Sequence, residues 1–285
     1  MNNLNAKDLV DQVRTMLDET GITSGKWNDS EIMRQINHAK DHFVNLINTI
    51  NPSIMGRSGT ITYVAGTELY DLPADLDSIK RVELASTKEK VELVDVDEKE
   101  RVRATNDLID SRPCYYIWGR QIGLVNVAGN VTVLYLKRIP DLHYGTAVTG
   151  GTTTTLIFDA TPNGSTTGDY TVKKIDDYYI GADIEIYSGL SAPQVMRITD
   201  YTGSTRTATF ATATAHDTTS LYALKYDLPN EVDQCIVFQA AIYLCPKDRS
   251  KNITNLMEIL SGQRKAMTDG LSLSKERKFV EYTSD

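Results

Sequence analysis

Cysteine is scarce in this chain. Its 285 residues include three cysteines, Cys114, Cys235 and Cys245, and no C-x-x-C pair. The count is odd, and Cys235 and Cys245 fall in one predicted helix at a spacing too long for a disulfide. We therefore expect three reduced, mostly buried thiols and no metal site built from cysteine.

Long hydrophobic runs are also missing. No apolar stretch approaches the roughly 18 to 20 residues that a membrane span requires. The polar start Met1-Asn2-Asn3-Leu4-Asn5 has neither the basic nor the apolar part of a signal peptide. We expect a protein made in the cytoplasm, and a hydrophobic content of 41% is enough for a sizeable core.

Positive charge is in the minority. The 30 Lys and Arg residues are outnumbered by 38 Asp and Glu residues, which gives a net charge of −8. Proteins that hold nucleic acid tightly neutralise phosphates with Lys and Arg, so this composition argues against such a binder. An acidic surface would instead let DNA pass without sticking.

The signatures of common enzymes are absent too. The sequence has no H-E-x-x-H, no G-x-S-x-G and neither glycine-rich phosphate motif. His38 and His42 have a spacing that can hold a metal, but both lie off the apolar stripe of their helix, which favours a solvated or inter-subunit face. Acidic residues at 95–100 and 176–185 are compatible with calcium binding or glycoside hydrolysis, although a solvated surface explains them more simply. We predict no catalytic residue, no metal site and no cofactor.

Helical periodicity is present at both ends of the chain. Apolar residues at steps of three and four predict a helix over 5–18, and Asn28 with Glu31 forms the start signal of a second, longer helix. A third helix is predicted after Asp227-Leu228-Pro229, and a fourth over 252–267. The tail 271–285 has no helical stripe, so we expect an extended arm.

Strand patterns fill the middle of the chain. Residues alternate at 60–64, 69–72, 79–84, 91–94, 115–118, 122–125 and 131–136, with a short charged helix over 95–107. Near Gly145 the composition changes to one rich in Thr, Gly, Tyr and Ile. The predicted fold class is α+β: a helical bundle with a small antiparallel sheet, plus an inserted all-β barrel or sandwich. The predicted domains are a core of 1–144 and 227–270, an insertion of 145–226, and an arm of 271–285.

Tyrosine is the dominant aromatic residue, with 15 copies against 5 Phe and 2 Trp. Several tyrosines cluster in the β regions, where half-exposed sheet faces, a protein interface or a carbohydrate-binding surface would each use them. The residues in question are Tyr115, Tyr116, Tyr178, Tyr179, Tyr187, Tyr201 and Tyr222.

The order of motifs resembles the head-to-tail adaptor, or head-tail connector, subunits of tailed bacteriophages. The motifs are the helix start Trp27-Asn28-Asp29-Ser30-Glu31-Ile32, the following Ile36-Asn37-His38-Ala39, and Tyr70-Asp71-Leu72-Pro73-Ala74-Asp75. The segment Asp176-Asp177-Tyr178-Tyr179-Ile180-Gly181 and the strands after it look like a β module found in phage structural proteins. Compact adaptors generally lack so large an insertion, so its role does not carry over.

The resemblance implies a non-enzymatic virion protein of the neck, made in the host cytoplasm. It implies a ring of about twelve copies around a DNA channel, with the portal protein above, tail or nozzle proteins below and non-specific passage of double-stranded DNA. On this hypothesis the ring-packing helices use Ile32, Ile36, Phe43, Ile47, Val232 and Ile236. The arm that contacts the portal or a neighbouring subunit uses Arg277, Lys278, Phe279, Val280 and Tyr282.

Two alternatives stay open on the sequence. The first is a tail or baseplate protein whose β domain binds host glycan, and the second is a cell-wall hydrolase. Binding of the 145–226 fragment to glycans would favour the first, and zymography would test the second.

Overall fold

A computed structural model describes residues 4–17, 26–98, 112–164, 171–190, 192–211, 216–245 and 253–281, with only the backbone for 273–281. These residues form four α-helices and two seven-stranded sheets, a mixed α+β architecture. The chain divides into two compact units, one of Met1–Ile54 with Ile139–Asp285 and one of Met55–Arg138.

The helices all belong to the first unit. They are α1 (Ala6–Met16), α2 (Asp29–Ile50), α3 (Glu231–Leu244) and α4 (Ile253–Glu281). The side chain of Asn5 accepts a hydrogen bond from the amide of Asp8, and that of Asn28 accepts one from the amide of Glu31 at 2.7 Å. Both helix starts therefore satisfy free amides of the first turn, as the sequence predicts for the second helix.

Helix α3 is the centre of the helical layer. It is apolar on every side, and α1, α2 and α4 all contact it. Because a helix that is hydrophobic all round must be covered all round, the amphipathic helices α1 and α2 bury their apolar stripes against it, and α4 covers a further part of its surface.

The sheet of the second unit is curled. Its strands are β1 (Gly56–Ile61), β2 (Leu69–Asp71), β3 (Leu76–Leu84), β4 (Lys90–Leu93), β5 (Cys114–Trp118), β6 (Gln121–Val125) and β7 (Val131–Lys137), in the order β1-β7-β3-β4-β5-β6-β2. All pairs are antiparallel except β4 with β5. A Cβ atom on Gly59 of edge strand β1 would lie 2.9 Å from Pro73, which follows the other edge strand, so the two edges approach each other.

The sheet of the first unit is curled as well. Its strands are β8 (Tyr144–Thr146), β9 (Val148–Thr152), β10 (Thr155–Ile157), β11 (Asp183–Ser188), β12 (Gln194–Thr202), β13 (Thr207–Phe210) and β14 (Leu221–Lys225), in the order β8-β14-β11-β12-β13-β10-β9. The edge strands β8 and β9 are joined by Ala147 alone. Because consecutive Cα atoms are about 3.8 Å apart, the two ends of this sheet must lie side by side.

The C-terminal segment differs from its prediction. The sequence predicts a helix to about residue 267 and an extended arm from 271, whereas α4 continues through Gly270 to Glu281. A glycine inside a helix costs only about 1 kcal/mol relative to alanine, and the Leu, Lys, Glu and Arg residues beyond it favour helix. The extended arm was therefore wrong for the described residues, and Tyr282 lies outside them.

Two further predictions have partial outcomes. The predicted charged helix covers 95–107, and all of it after residue 98 lies outside the described residues. Asp95 to Glu98 form a turn. The predicted β insertion of 145–226 coincides with the sheet of β8 to β14, and this sheet belongs to the same compact unit as the helices. Its status as a separable insertion stays a prediction.

Candidate interaction surfaces and the contacts that position them

The six predicted ring-packing side chains lie inside the chain itself. Ile32, Ile36, Phe43, Ile47, Val232 and Ile236 are each 0% exposed. A side chain without exposed surface cannot contact a neighbouring copy, so their assignment to ring packing was wrong. Helix α3 covers the stripe that the sequence left open, and any contact between copies must use other residues.

The predicted arm residues lie on the last turns of α4. Arg277, Lys278, Phe279 and Val280 have helical backbone. At about 1.5 Å per residue, the 29 residues of α4 span roughly 43 Å. Of the described side chains from 253 to 272, Met267 and Leu271 are the buried ones. Most of the described surface of α4 is therefore available to a partner.

Helix α2 holds the segment that leads into β8, in the sheet of the first unit. Asn37 donates to the carbonyl of Leu142 at 3.0 Å and accepts from the amide of Leu142 at 2.7 Å. One turn later, the ammonium group of Lys40 donates to the carbonyls of Ile139 and Pro140 at 3.2 and 2.9 Å. These two side chains act as a clamp on Ile139 to Leu142. The sequence alone does not indicate this role, because polar residues on a helix usually face water.

The charge of Lys40 is balanced inside the protein. Its side chain is 0% exposed, and its Nζ lies 3.2 Å from Asp41 and 3.5 Å from Asp141. Burial alone would raise the pKa of Asp141, but Lys40 and Lys173 outweigh it and hold this pKa below its ordinary value. A buried ammonium that has both carbonyl and carboxylate partners avoids the large cost of an uncompensated charge.

A second polar connection joins α1, α2 and β8. Arg14 donates to the carboxylate of Asp29 and, at 3.1 Å, to the carbonyl of Trp27. The hydroxyl of Tyr144 donates to the same carboxylate, and burial together with Asp29 raises the pKa of Tyr144 above its usual range. The motif Trp27 to Ile32 thus serves as a joint between two helices and a strand.

The start of the chain is attached to α3 and to the sheet. The amide of Leu4 donates to Asp233 at 3.1 Å, and the hydroxyl of Tyr226 donates to the same carboxylate at 2.6 Å. The side chain of Asn5 donates to Glu185 at 3.0 Å, and Glu185 pairs with Lys225 at 3.2 Å. Helix α1 is therefore fixed to β11 and β14.

Three tyrosines form part of the core under the sheet of the first unit. Tyr179, Tyr201 and Tyr222 are at most 1% exposed and pack with Phe158 around His143. The half-exposed sheet faces suggested by the sequence are wrong for these three, because each hydroxyl finds an internal partner, as Tyr201 does at the carbonyl of Lys173. Buried rings cannot stack on a sugar, so these three do not offer the carbohydrate surface that the sequence left open.

His143 is neutral at physiological pH. Its ring is fully buried, and burial lowers its pKa to about 3 although Asp141 acts in the opposite direction. Its Nδ1 lies 3.4 Å from the hydroxyl of Tyr222. Within the described structure its Nε2 has no hydrogen-bond partner, which adds to the cost of any charge on the ring.

The Asp176-Asp177-Tyr178-Tyr179-Ile180-Gly181 motif has a local structural role. Asp176 accepts from the amide of Gly203 at 2.7 Å, the amide of Asp177 donates to Tyr201, and the amide of Gly181 donates to Ile198. A Cβ on Gly203 would lie 2.4 Å from the backbone of Lys174, so glycine is required there. The motif ties a turn to β12, and its likeness to a phage β module stays a prediction.

His38 and His42 are exposed on α2, as the sequence predicts for a polar face. His38 stacks on Tyr243 of α3 with ring centroids 4.7 Å apart.

Among the described residues, no three His, Cys, Asp or Glu side chains are arranged to hold a metal ion. In that part of the chain, every helix is too short or too polar to cross a bilayer.

The described residues form a packed interior and leave most of the surface of α4 exposed. Comparison with protein families matches residues 4–162 to the family described as SU10 adaptor protein. The match covers more than half of the chain, from α1 to just beyond β10, and the chain therefore belongs to this phage adaptor family. A search of curated proteins found no match.

Membership has direct consequences for the class of protein. Phage adaptors are structural and non-enzymatic proteins of the virion, which assemble with head and tail components. The predicted resemblance to phage head-tail adaptors is thereby confirmed.

Proposed function

We propose that this chain forms a ring of about twelve copies in the phage neck. The ring joins the portal of the head to the tail or nozzle proteins and surrounds the channel through which double-stranded DNA passes. The family match over residues 4–162 carries the proposal, because it includes α1, α2 and the whole sheet of the second unit.

The structure supports this proposal through its distribution of polar contacts. The clamp of Asn37 and Lys40 and the joint at Asp29 fix α1, α2 and β8 to one another, which suits a part that works by its shape. The net charge of −8 supports passage of DNA without tight binding.

The end of α4 is the proposed contact with the portal. Residues Arg277 to Val280 follow about two turns after Leu271, the last buried side chain described on this helix. Residues 145–226, which hold most of the sheet of β8 to β14, are proposed as an insertion into the adaptor core.

Co-assembly with the portal tests both statements. Full-length protein mixed with portal rings should give ring-on-ring complexes in electron microscopy, with density for the neck protein around the channel. Protein truncated after Ser272, which keeps the buried Leu271 and its hydrogen bond from Asn51, should still form its own ring but should lose the portal complex. Intact portal complexes formed by the truncated protein would contradict the assignment of α4, and a full-length protein found outside the neck would contradict the function.

A further inference from the structure

Trp118 is an exposed aromatic residue at the end of β5, in the sheet of the second unit. Its exposed fraction is 60%, whereas Trp27, the other tryptophan of the chain, is 1% exposed. Large aromatic side chains stabilise a fold mainly by being buried, so an indole in contact with water contributes little to this sheet. The exposed ring is therefore available to a ligand.

A tight turn fixes the position of this ring. Trp118 and Gln121 pair across β5 and β6, so that Gly119 and Arg120 make the turn between them. Gly119 has a φ of 63°, which the first position of a type II′ turn requires. Because a two-residue turn holds its flanking strands in register, the indole is in place before a ligand arrives, and binding costs less conformational entropy.

A row of three side chains crosses this end of the sheet on one face. Gln121 of β6 pairs with Trp118 of β5 on one side and with Asp71 of β2 on the other. Both pairs are antiparallel, and directly opposed residues of antiparallel strands point to the same face with Cβ atoms about 4.5–5.5 Å apart. We call Trp118, Gln121 and Asp71 the platform row.

Tyr116 occupies the neighbouring row of the same face and is packed by the protein itself. It pairs with Gly123 of β6, and a Cβ there would lie 2.1 Å from the tyrosine ring, so the ring lies over the glycine. Leu69 and Val94 pack against the cluster that contains Tyr116, and 2% of the tyrosine is exposed. Trp118, in the next row, lies outside this cluster and keeps its ring open to solvent.

The polar members of the platform row can bind hydroxyl groups. The side-chain amide of Gln121 donates to the carboxylate of Asp71 at 3.0 Å, and Asp71 is exposed. An amide carries two donors and an acceptor oxygen, and a carboxylate carries two acceptor oxygens, so this one contact uses only part of their capacity. Two adjacent hydroxyls of a sugar ring, each of which donates and accepts, match the remaining groups.

The charges beside the ring favour a neutral ligand over an anion. Arg120 and Asp71 carry opposite charges, and the guanidinium group of Arg120 donates to the carbonyl of Ala74 at 3.3 Å. The chain as a whole has a net charge of −8, which opposes phosphates and nucleic acids. A neutral pyranose combines an apolar C–H face, which can stack on an indole, with hydroxyls along its edge.

We propose that the platform row binds a neutral hexopyranose unit of a glycan. The indole of Trp118 takes the apolar face of the sugar, and Gln121 and Asp71 take two neighbouring hydroxyls. An aromatic surface with a small number of directed polar groups is the usual composition of a small-molecule site. This binding goes beyond the proposed function in the neck and does not depend on it.

Tryptophan fluorescence of the full-length protein gives a direct readout of this site. Because Trp27 is buried, quenching by acrylamide reports mainly on Trp118. An array of neutral glucose, galactose, mannose and N-acetylglucosamine oligosaccharides should show binding. The oligosaccharide with the strongest signal, titrated into the protein, should then protect Trp118 from acrylamide.

Substitutions in the platform row test the assignment of its residues. Trp118→Ala and Asp71→Ala should each lower the affinity at least tenfold in isothermal titration calorimetry, whereas Trp118→Tyr keeps an aromatic face and should keep most of the binding. Leu93→Ala is the matched control, because Leu93 of β4 is 63% exposed in the same sheet and lies on the opposite face, that of the buried Val91. It should bind as the parent does.

Several results would overturn the site. Absence of binding to every oligosaccharide on the array would do so, and so would unchanged affinity in Trp118→Ala, since the sugar would then bind elsewhere. Protection of Trp118 by single-stranded DNA but by no oligosaccharide would make it a nucleic-acid contact. Loss of the portal complex in Trp118→Ala, without glycan binding by the parent, would make it a protein contact. Circular dichroism and thermal unfolding of each variant separate lost binding from lost folding.

Discussion

The buried His143 gives a quantitative prediction for stability against acid. Its pKa is 6.5 in an ordinary environment and about 3 in the folded protein. Below pH 6.5 the unfolded chain takes up a proton that the folded chain accepts only near pH 3. The stability associated with His143 is therefore complete above pH 6.5 and is lost as the pH falls from 6.5 towards 3.

The size of the loss follows from the difference in pKa. Each pH unit in this window costs about 1.4 kcal/mol, so that lowering the pH from 7.5 to 5 should reduce the free energy of unfolding by about 2 kcal/mol through His143 alone. Asp141 does not contribute over this range, because its lowered pKa lies below its ordinary value of 3.8. The raised pKa of Asp233 acts in the opposite direction, since the folded chain holds that proton more tightly.

Urea unfolding at pH 7.5 and pH 5, with hydrogen exchange of β11 and β14 as a local readout, measures this loss. The variant His143→Phe keeps an aromatic ring among Phe158, Tyr179 and Tyr222 but removes the titration, so its loss should be smaller by about 2 kcal/mol. His38→Gln, which removes an exposed histidine, is the matched control. Equal losses for the parent and His143→Phe would refute the reasoning, because the substitution removes no other group that titrates between pH 5 and pH 7.5.

Three further predictions concern individual contacts. Lys40→Met should lower the free energy of unfolding by about 2–4 kcal/mol in urea titrations, because two buried carbonyls lose their donor while Asp141 keeps Lys173 as its cation; an unchanged midpoint would contradict the clamp. Gly123→Val should cost more than about 2 kcal/mol, since a Cβ there would lie 2.1 Å from the ring of Tyr116, and a neutral result would show that this ring is not fixed. Gly270→Ala should raise helix content and stability by about 1 kcal/mol in circular dichroism and thermal unfolding, whereas a loss of stability would indicate that α4 ends at this glycine.

Local structure was largely predictable from the sequence. The helix starting at Asn28 and strands β2 to β7 could be predicted because caps and period-two alternation are properties of neighbouring residues. The first strand was predicted over 60–64, whereas β1 spans Gly56–Ile61. The family could also be predicted, because motifs such as Trp27 to Ile32 and their order along the chain are visible in the sequence itself. These motifs include Asp29, which the structure shows as a joint between α1, α2 and β8.

The partners of each surface were decided by tertiary structure alone. The sequence shows that Ile36 and Phe43 share an apolar stripe, but α3, almost two hundred residues later, determines that this stripe is buried within the chain. Lys40 is polar on an amphipathic helix, and it is buried because carbonyls about 100 residues away accept its hydrogen bonds. Periodicity reports which residues share a face, whereas burial depends on long-range contacts that only the folded chain makes.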